Sequence, residues 1–269
     1  MTAQELLSLG RLDESLAALQ AEIRVKPEDA RLRVFLFQLL CVLGKWDRAL
    51  TQLGVLSQLD ASCMMLANIF TPVVHCEAFR ASVFSGQRSP LIFGEPEEWI
   101  GLLVQANALV ARGEFAASRP LRERALEAAP AVPGNVNGQE FAWIADADSR
   151  LGPLLEAFID GKYYWVPFFR IQKIEIEPPK DLRDLVWLAT KFTWSNGGET
   201  FGFIPSRYSG TEGSAEDELK LSRKTVWDEK DAELFLGTGQ RLLATDEAEI
   251  PLFDIRTIDL STQPPAAAP

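Results

Sequence analysis

One histidine, His75, and three cysteines, Cys41, Cys63 and Cys76, are all the imidazole and thiol in 269 residues. Three thiols with no CxxC pair cannot build a disulfide framework, and they suit a reducing cytoplasm. The paired Cys/His spacing of a zinc site is missing. A Cys–His nucleophile pair would have to use His75 and Cys76, and neighbours on a helix diverge by about 100°. No G-x-S-x-G accompanies the histidine, so no serine hydrolase is expected. Long apolar runs are missing too. The most apolar stretch, Val34 to Leu43, is ten residues interrupted by Gln38, too short to span a bilayer. The start, Met1-Thr2-Ala3-Gln4-Glu5, has no basic segment before an apolar one, so no signal peptide is expected. Positive charge is short: 27 Lys and Arg against 38 Asp and Glu leave −11, which excludes a broad phosphate-binding surface.

What remains is an ordinary core-forming composition, 47% hydrophobic and 24% charged. It is unevenly spread. Residues 1–133 are rich in Leu and Ala at helical spacing and carry net −2; residues 134–269 are rich in Thr, Ile, Val, Trp and Phe and carry net −9. Pro130, Pro133 and Gly134 punctuate the change. The expected architecture is α+β: a tetratricopeptide-like helical repeat domain over 1–133, then an α+β domain over 134–260 with a small antiparallel sheet or barrel. A disordered Pro/Ala-rich tail is expected over 261–269.

The repeat rests on a recurrence. Leu9-Gly10-x-Leu12-x-x-Ser15 returns as Leu43-Gly44-x-Trp46-x-x-Ala49, 34 residues on, and as Gly113-x-Phe115-x-x-Ser118. Glycine ends the first helix of a pair, the apolar residue plugs the space between helices, and the small residue lets them approach. Pro27 and Pro130 close the second helix. On this register Leu16, Leu36, Leu40 and Leu53 are expected to be buried. A degenerate unit is expected between Gly44 and Gly113, with Pro72 kinking or breaking a helix over 59–84. Glu95-Pro96-Glu97-Glu98 opens another helix. In the second half, 141–158 reads as a helix or helix pair broken near Gly152-Pro153. Tyr163–Phe169, Ile171–Ile176, Thr225–Trp227, Leu234–Leu236, Arg241–Thr245 and Ile250–Leu260 read as strands. Lys191–Trp194 and Glu199–Ile204 flank Asn196-Gly197-Gly198, a hairpin turn.

Several ordered stretches resemble one known family. They are Phe141-Ala-Trp143-Ile-Ala-Asp146-Ala-Asp148-Ser149-Arg150-Leu-Gly152-Pro153, Gly161-Lys-Tyr163-Tyr164-Trp165-Val166-Pro167-Phe168 and Leu182-Arg183-Asp184-Leu185-Val186-Trp187. Asn196-Gly-Gly-Glu199, Ile204-Pro205-x-Arg207-Tyr208, Gly239-Gln240-Arg241, Thr245-Asp246 and Asp254-Ile255-Arg256 complete the set. Together, from about residue 5 to 260, the chain resembles the ImpE/SciE/TagJ family of type VI secretion accessory proteins. The resemblance implies a cytoplasmic, non-enzymatic adaptor without cofactor. Its implied partner is the small contractile-sheath subunit, held by an amphipathic helix of that subunit. The AAA+ sheath-recycling ATPase would be near, and neither nucleic acid nor membrane is involved.

Repeat arrays offer a groove for such a helix, with Phe37, Leu40, Trp46 and Trp99 as candidate contacts. Asp146-x-Asp148 could be a metal pair, but hard cations need six or more oxygens, and an ion-pair cluster with Arg150 is the plainer reading. Gly237-Thr-Gly239-Gln240-Arg241 precedes a strand rather than a helix, so a turn is expected there, not a phosphate loop. Trp143, Trp165, Trp187, Trp194 and Trp227 are expected in the core. Asp184, Glu199, Arg207, Arg241, Asp246 and Arg256 form either a buried ion-pair network or the ligand pocket of an enzyme or small-ligand binder. Paired and closed, the set fits an adaptor; open to a deep pocket, it fits the alternative.

Overall fold

The computed structural model describes residues 1–261; the rest of the expected tail, 262–269, lies outside the described residues. Helices fill the first half: α1 (Ala3–Ser8), α2 (Leu12–Val25), α3 (Ala30–Val42), α4 (Trp46–Leu59), α5 (Met64–Phe84), α6 (Glu98–Ala111) and α7 (Phe115–Ala128). The recurrence marks α1/α2, α3/α4 and α6/α7 as helix pairs. Gly10, Gly44 and Gly113 sit at φ +73, +65 and +77, the left-handed cap only glycine adopts cheaply. In each turn the glycine N–H and the following N–H bond back into the last helical turn, as in Gly44 to the Cys41 carbonyl and Lys45 to the Leu40 carbonyl. The small residues Ser15, Ala49 and Ser118 are fully buried where the helices meet, and Leu16, Leu36, Leu40 and Leu53 are buried as expected. Helix α5 occupies the degenerate interval. Pro72 does not break it; the 21-residue helix runs through, with one backbone bond missing.

Strand β1 (Leu91–Ile92) lies between helices; the others follow: β2 (Gly134–Val136), β3 (Gln139–Phe141), β4 (Ile144–Asp146), β5 (Leu154–Ile159), β6 (Lys162–Pro167), β7 (Ile171–Ile176), β8 (Trp187–Trp194) and β9 (Glu199–Pro205). A short helix α8 (Asp217–Lys220) precedes β10 (Thr225–Asp231), β11 (Leu234–Gly239), β12 (Leu242–Thr245), β13 (Glu249–Pro251) and β14 (Thr257–Leu260). Nine strands make one sheet in the order β1-β6-β5-β9-β8-β7-β14-β2-β3, larger than expected. Its pairs are antiparallel except β1 with β6. β10–β11 is a separate hairpin, and β13-β12-β4 a small second sheet. The Asn196-Gly197 turn joins β8 to β9, with Gly197 at φ +83. The expectation of a helix over 141–158 is corrected: the segment holds the end of β3, then β4 and β5. The first two are three residues long, and β5 is buried on both faces, so neither shows an alternating pattern.

The large sheet carries a core on each face. Leu154, Phe158, Tyr163, Trp165 and Trp187 face the helices and join one continuous cluster with Leu12, Phe37, Leu40 and Phe70. Leu155, Val166, Ile174, Phe192 and Ile258 fill the other side. Trp194 is buried and Trp227 half-buried, but Trp143 is 40% exposed and is not core.

Candidate functional site

The helix-facing side of β5 reads Leu154, Glu156, Phe158, so strand alternation alone drives Glu156 into the layer between sheet and helices. Arg80 meets it there from the buried face of α5. The guanidinium clasps the carboxylate from two sides: Nε donates to Oε1 at 2.6 Å and Nη2 to Oε2 at 2.8 Å. Glu77, one turn earlier on α5, lies 3.4 Å from Arg80 Nη1 and accepts from Trp187 Nε1 at 2.8 Å. Tyr163 donates its hydroxyl to Glu156 and accepts from Trp165 Nε1 at 2.6 Å. Arg241, just before β12, donates to both Asp146 and Glu156 and to the Pro205 carbonyl at 2.9 Å. Asp148 holds Arg150 at 2.6 Å and accepts from the Gly237 N–H at 2.8 Å.

Arg207 extends the network into the repeats. Its guanidinium donates to the carbonyls of Cys41 and Val42 at 3.0 and 2.8 Å, capping the C-terminal end of α3, where a cation also suits the helix dipole. The same stretch of chain caps another helix: Asp217 accepts from the Leu12 N–H at 3.0 Å, at the start of α2, where Arg11 offers no side-chain cap.

Burial sets the electrostatics. Burial pushes the Asp146 carboxyl up to about 7, against Arg241 and with help from nearby Asp148. Burial raises Glu77 as well, Arg80 notwithstanding. Glu156 goes the other way: Arg80 and Arg241 together outweigh its burial and hold it at about 2. Within the network the buried cations Arg80, Arg207 and Arg241 and the half-buried Arg150 match Glu77, Asp146, Asp148 and Glu156 in number. Of the expected set, Asp146, Asp148, Arg150, Arg207 and Arg241 come together here. Asp184, Glu199, Asp246 and Arg256 do not, a correction to that set. Asp184 caps the turn over Leu182–Leu185, Glu199 pairs with Lys191 at 2.8 Å on the surface, Asp246 accepts from the Ala142 N–H, and Arg256 binds the carbonyls of Phe253 and Ile255. Glu77, Arg80 and Glu156 were missed as network members; their signal was charge inside apolar runs, a lone carboxylate in Leu154–Ile159 and an i, i+3 acid–base pair in α5, while Tyr163 gave no charge to read.

The network is closed. The arginines and carboxylates in its ion pairs are at most 12% exposed at the side chain. A depression of about 430 Å³ lies elsewhere, between the ends of α6 and α7, against Trp99 and Leu102. Asp146 and Asp148 spend their oxygens on guanidinium and backbone N–H groups, and no group of three metal-ligating side chains occurs among the described residues. The three thiols are free and buried, and burial pushes Cys76 up to about 12, away from the thiolate form that a nucleophile uses. Gly239 is followed after Gln240 and Arg241 by strand β12, not by a helix.

The expected groove contacts also need correction. Phe37 and Leu40 are fully buried, and Trp99 is 3% exposed. Only Trp46 is partly open, and it packs on Trp187 with ring centroids 6.0 Å apart. The chain's own turn Leu182–Leu185 packs on α3, with Arg183 over the Phe70 ring at 4.9 Å, so this face of the repeat is occupied from within. No described helix is long and apolar enough to cross a membrane.

Comparison with known proteins agrees with this architecture. The model of the ImpE protein family matches residues 138–259, the part that holds Asp146, Glu156 and Arg241. The crystal structure of protein VPA1032 from Vibrio parahaemolyticus superposes with a TM-score of 0.87 at 28% identity, covering 97% of this chain and 98% of that one. TagJ of Pseudomonas aeruginosa, a type VI secretion system accessory component, is 48% identical over 259 residues, 96% of this chain and 91% of TagJ. Identity at that level from end to end shows that the chain belongs to the ImpE/TagJ family.

Proposed function

We propose that the protein is a non-enzymatic, cytoplasmic accessory component of a type VI secretion system. It holds the small subunit of the contractile sheath through an amphipathic helix of that subunit, and so assists sheath assembly or AAA+ driven recycling. The observation that carries this reading is the 48% identity to TagJ across nearly the full length of both chains. The closed network supports it: the charges that could have served an enzyme are spent on one another, leaving no open polar centre among them. Their work is to lock the repeats to the sheet, a rigid body on which a partner helix can dock.

The test is direct. The full chain and the purified small sheath subunit of the same secretion system are mixed and titrated calorimetrically, with the subunit lacking its amphipathic helix as the second arm. Saturable binding to the intact subunit and none to the truncated one is expected. Equal binding of both forms refutes the helix, and no binding of either refutes the partner.

A further inference from the structure

The β10–β11 hairpin belongs to neither of the larger sheets, and its two long edges differ. Along β11 the outer edge is spent. The Ser149 N–H donates to the Phe235 carbonyl at 3.1 Å, and the Phe235 N–H donates to Ser149 Oγ at 3.0 Å. The Gly237 N–H donates to Asp148 Oδ2 at 2.8 Å and the Gly239 N–H to Thr211 Oγ1 at 2.9 Å. Phe235, Gly237 and Gly239 therefore turn away from β10, which leaves Leu236 and Thr238 to bond Asp228 and Val226 across the hairpin. On β10 the outward positions are then Thr225, Trp227 and Glu229. Their N–H and C=O groups have no hydrogen-bond partner among the described residues. Donors and acceptors at every second residue, over about 17 Å of extended chain, are the edge of a sheet that lacks its next strand. Trp227 packs on Tyr208 with ring centroids 5.4 Å apart and anchors the strand to the body of the protein.

Charge selects the occupant. The hairpin carries Asp228, Glu229, Asp231 and Glu233 against a single lysine, Lys230, net −3. Lys230 pairs with Asp228, and Asp231 with Arg119 of α7 at 2.6 Å, whereas Glu229 and Glu233 are in no ion pair among the described residues. Asp228, Glu229 and Glu233 are exposed. A second copy laid edge to edge would set these carboxylates against their own kind, and an uncharged strand would leave them unanswered. A strand bearing lysine or arginine answers them. Val226, 40% exposed on one face of the hairpin, and Phe235, 39% exposed on the other, offer apolar contacts between the charges.

We propose that the outer edge of β10 takes up an extended, basic segment of another protein as a third strand. Main-chain hydrogen bonds to Thr225, Trp227 and Glu229 hold the segment, and Asp228 and Glu229, on opposite faces of the hairpin, each draw a lysine or arginine beside them. The proposal is independent of the sheath partner.

The probe is an acetylated, amidated heptapeptide of alternating lysine and valine, titrated into the full chain; the same peptide with glutamate for lysine is the control. Saturable binding of the basic peptide, amide exchange at Trp227 and Glu229 slowed severalfold in its presence, and no binding of the acidic peptide are expected. Glu229→Pro removes an outward N–H but no bond of the β10–β11 ladder, and should weaken binding by about tenfold or more. Glu229→Thr keeps that N–H, loses only the charge, and should weaken binding severalfold. Asp228→Lys/Glu229→Lys, at two exposed positions, should abolish binding and guards against a folding defect in the proline variant, with circular dichroism checking each fold. Equal affinity of the proline and threonine variants, or of the two peptides, overturns the proposal. Binding that leaves the Trp227 and Glu229 amides exchanging as before, or no binding of the basic peptide, overturns it as well. A concentration-dependent dimer of the wild type that Glu229→Pro abolishes, seen by sedimentation, would assign the edge to a second copy and overturn it too.

Discussion

Arg241→Met asks how much of the fold hangs on the buried network. Arg241 is fully buried and serves three acceptors: Asp146, Glu156 and the Pro205 carbonyl. Methionine roughly keeps the volume and removes the charge. Glu156 still has Arg80 at 2.6 and 2.8 Å, so the carboxylate left alone is Asp146, with the Asp148 N–H at 2.9 Å as its remaining donor. Removing one partner of a buried ion pair costs about 3–5 kcal/mol, a large share of the roughly 5–15 kcal/mol that holds an ordinary domain. Asp146 can relieve part of that by taking up a proton, which burial already favours. The double variant Arg241→Met/Asp146→Asn removes the stranded charge, and it should recover about 1–3 kcal/mol of the loss. Urea unfolding of the full chain, followed by tryptophan fluorescence, reads both variants, since Trp165 and Trp187 are hydrogen-bonded into the network. If Arg241→Met lies within about 1 kcal/mol of the wild type, or the double variant is no more stable than the single, the reasoning fails.

Other perturbations probe separate parts. The raised Asp146 means that the folded protein keeps a proton the unfolded chain releases, so this group's stabilisation is full below 3.8 and is lost as pH rises to about 7, by up to roughly 4 kcal/mol. Asp146→Asn should remove that slope from a series of urea midpoints; parallel profiles for the two proteins would argue against it. Glu156, held at about 2, acts oppositely: its stabilisation is full above 4.5 and is lost as pH falls towards 2, a limb that Glu156→Gln should flatten in the same assay. Leu40→Ala, at a fully buried position between repeat helices, should cost about 2–5 kcal/mol, and an unchanged unfolding midpoint would discredit the register. Asp217→Ala removes the cap of α2 and should cost about 1 kcal/mol, read by the thermal midpoint, whereas Asp217→Asn should retain most of it.

The helix pairs were legible because a left-handed glycine and a small contact residue have few substitutes, and their spacing survives in the sequence. The β8–β9 hairpin was legible through Asn196-Gly197 for the same reason. Strands β4 and β5 were not: one is too short for a period to show, and the other is buried on both faces, so its run of apolar residues imitates a helix. Half of the network was visible as charged residues in the second part of the chain. Arg80 and Glu156 escaped because they are 76 residues apart and lie in elements of different kinds, so no local pattern couples them. Asp184, Glu199, Asp246 and Arg256 were drawn in by the family motifs, yet each serves its own turn or surface pair.

The two helix caps supplied from the second half of the chain have a consequence for synthesis. Arg207 closes α3 across 165 and 166 residues, and Asp217 closes the start of α2 across 205. Until those residues have left the ribosome, the C-terminal end of α3 and the start of α2 lack these partners. Native pairings of such sequence separation form slowly and leave sticky intermediates exposed meanwhile. The repeats therefore acquire these two caps only when the chain is nearly complete, and their ends are held by the sheet half rather than by their own sequence.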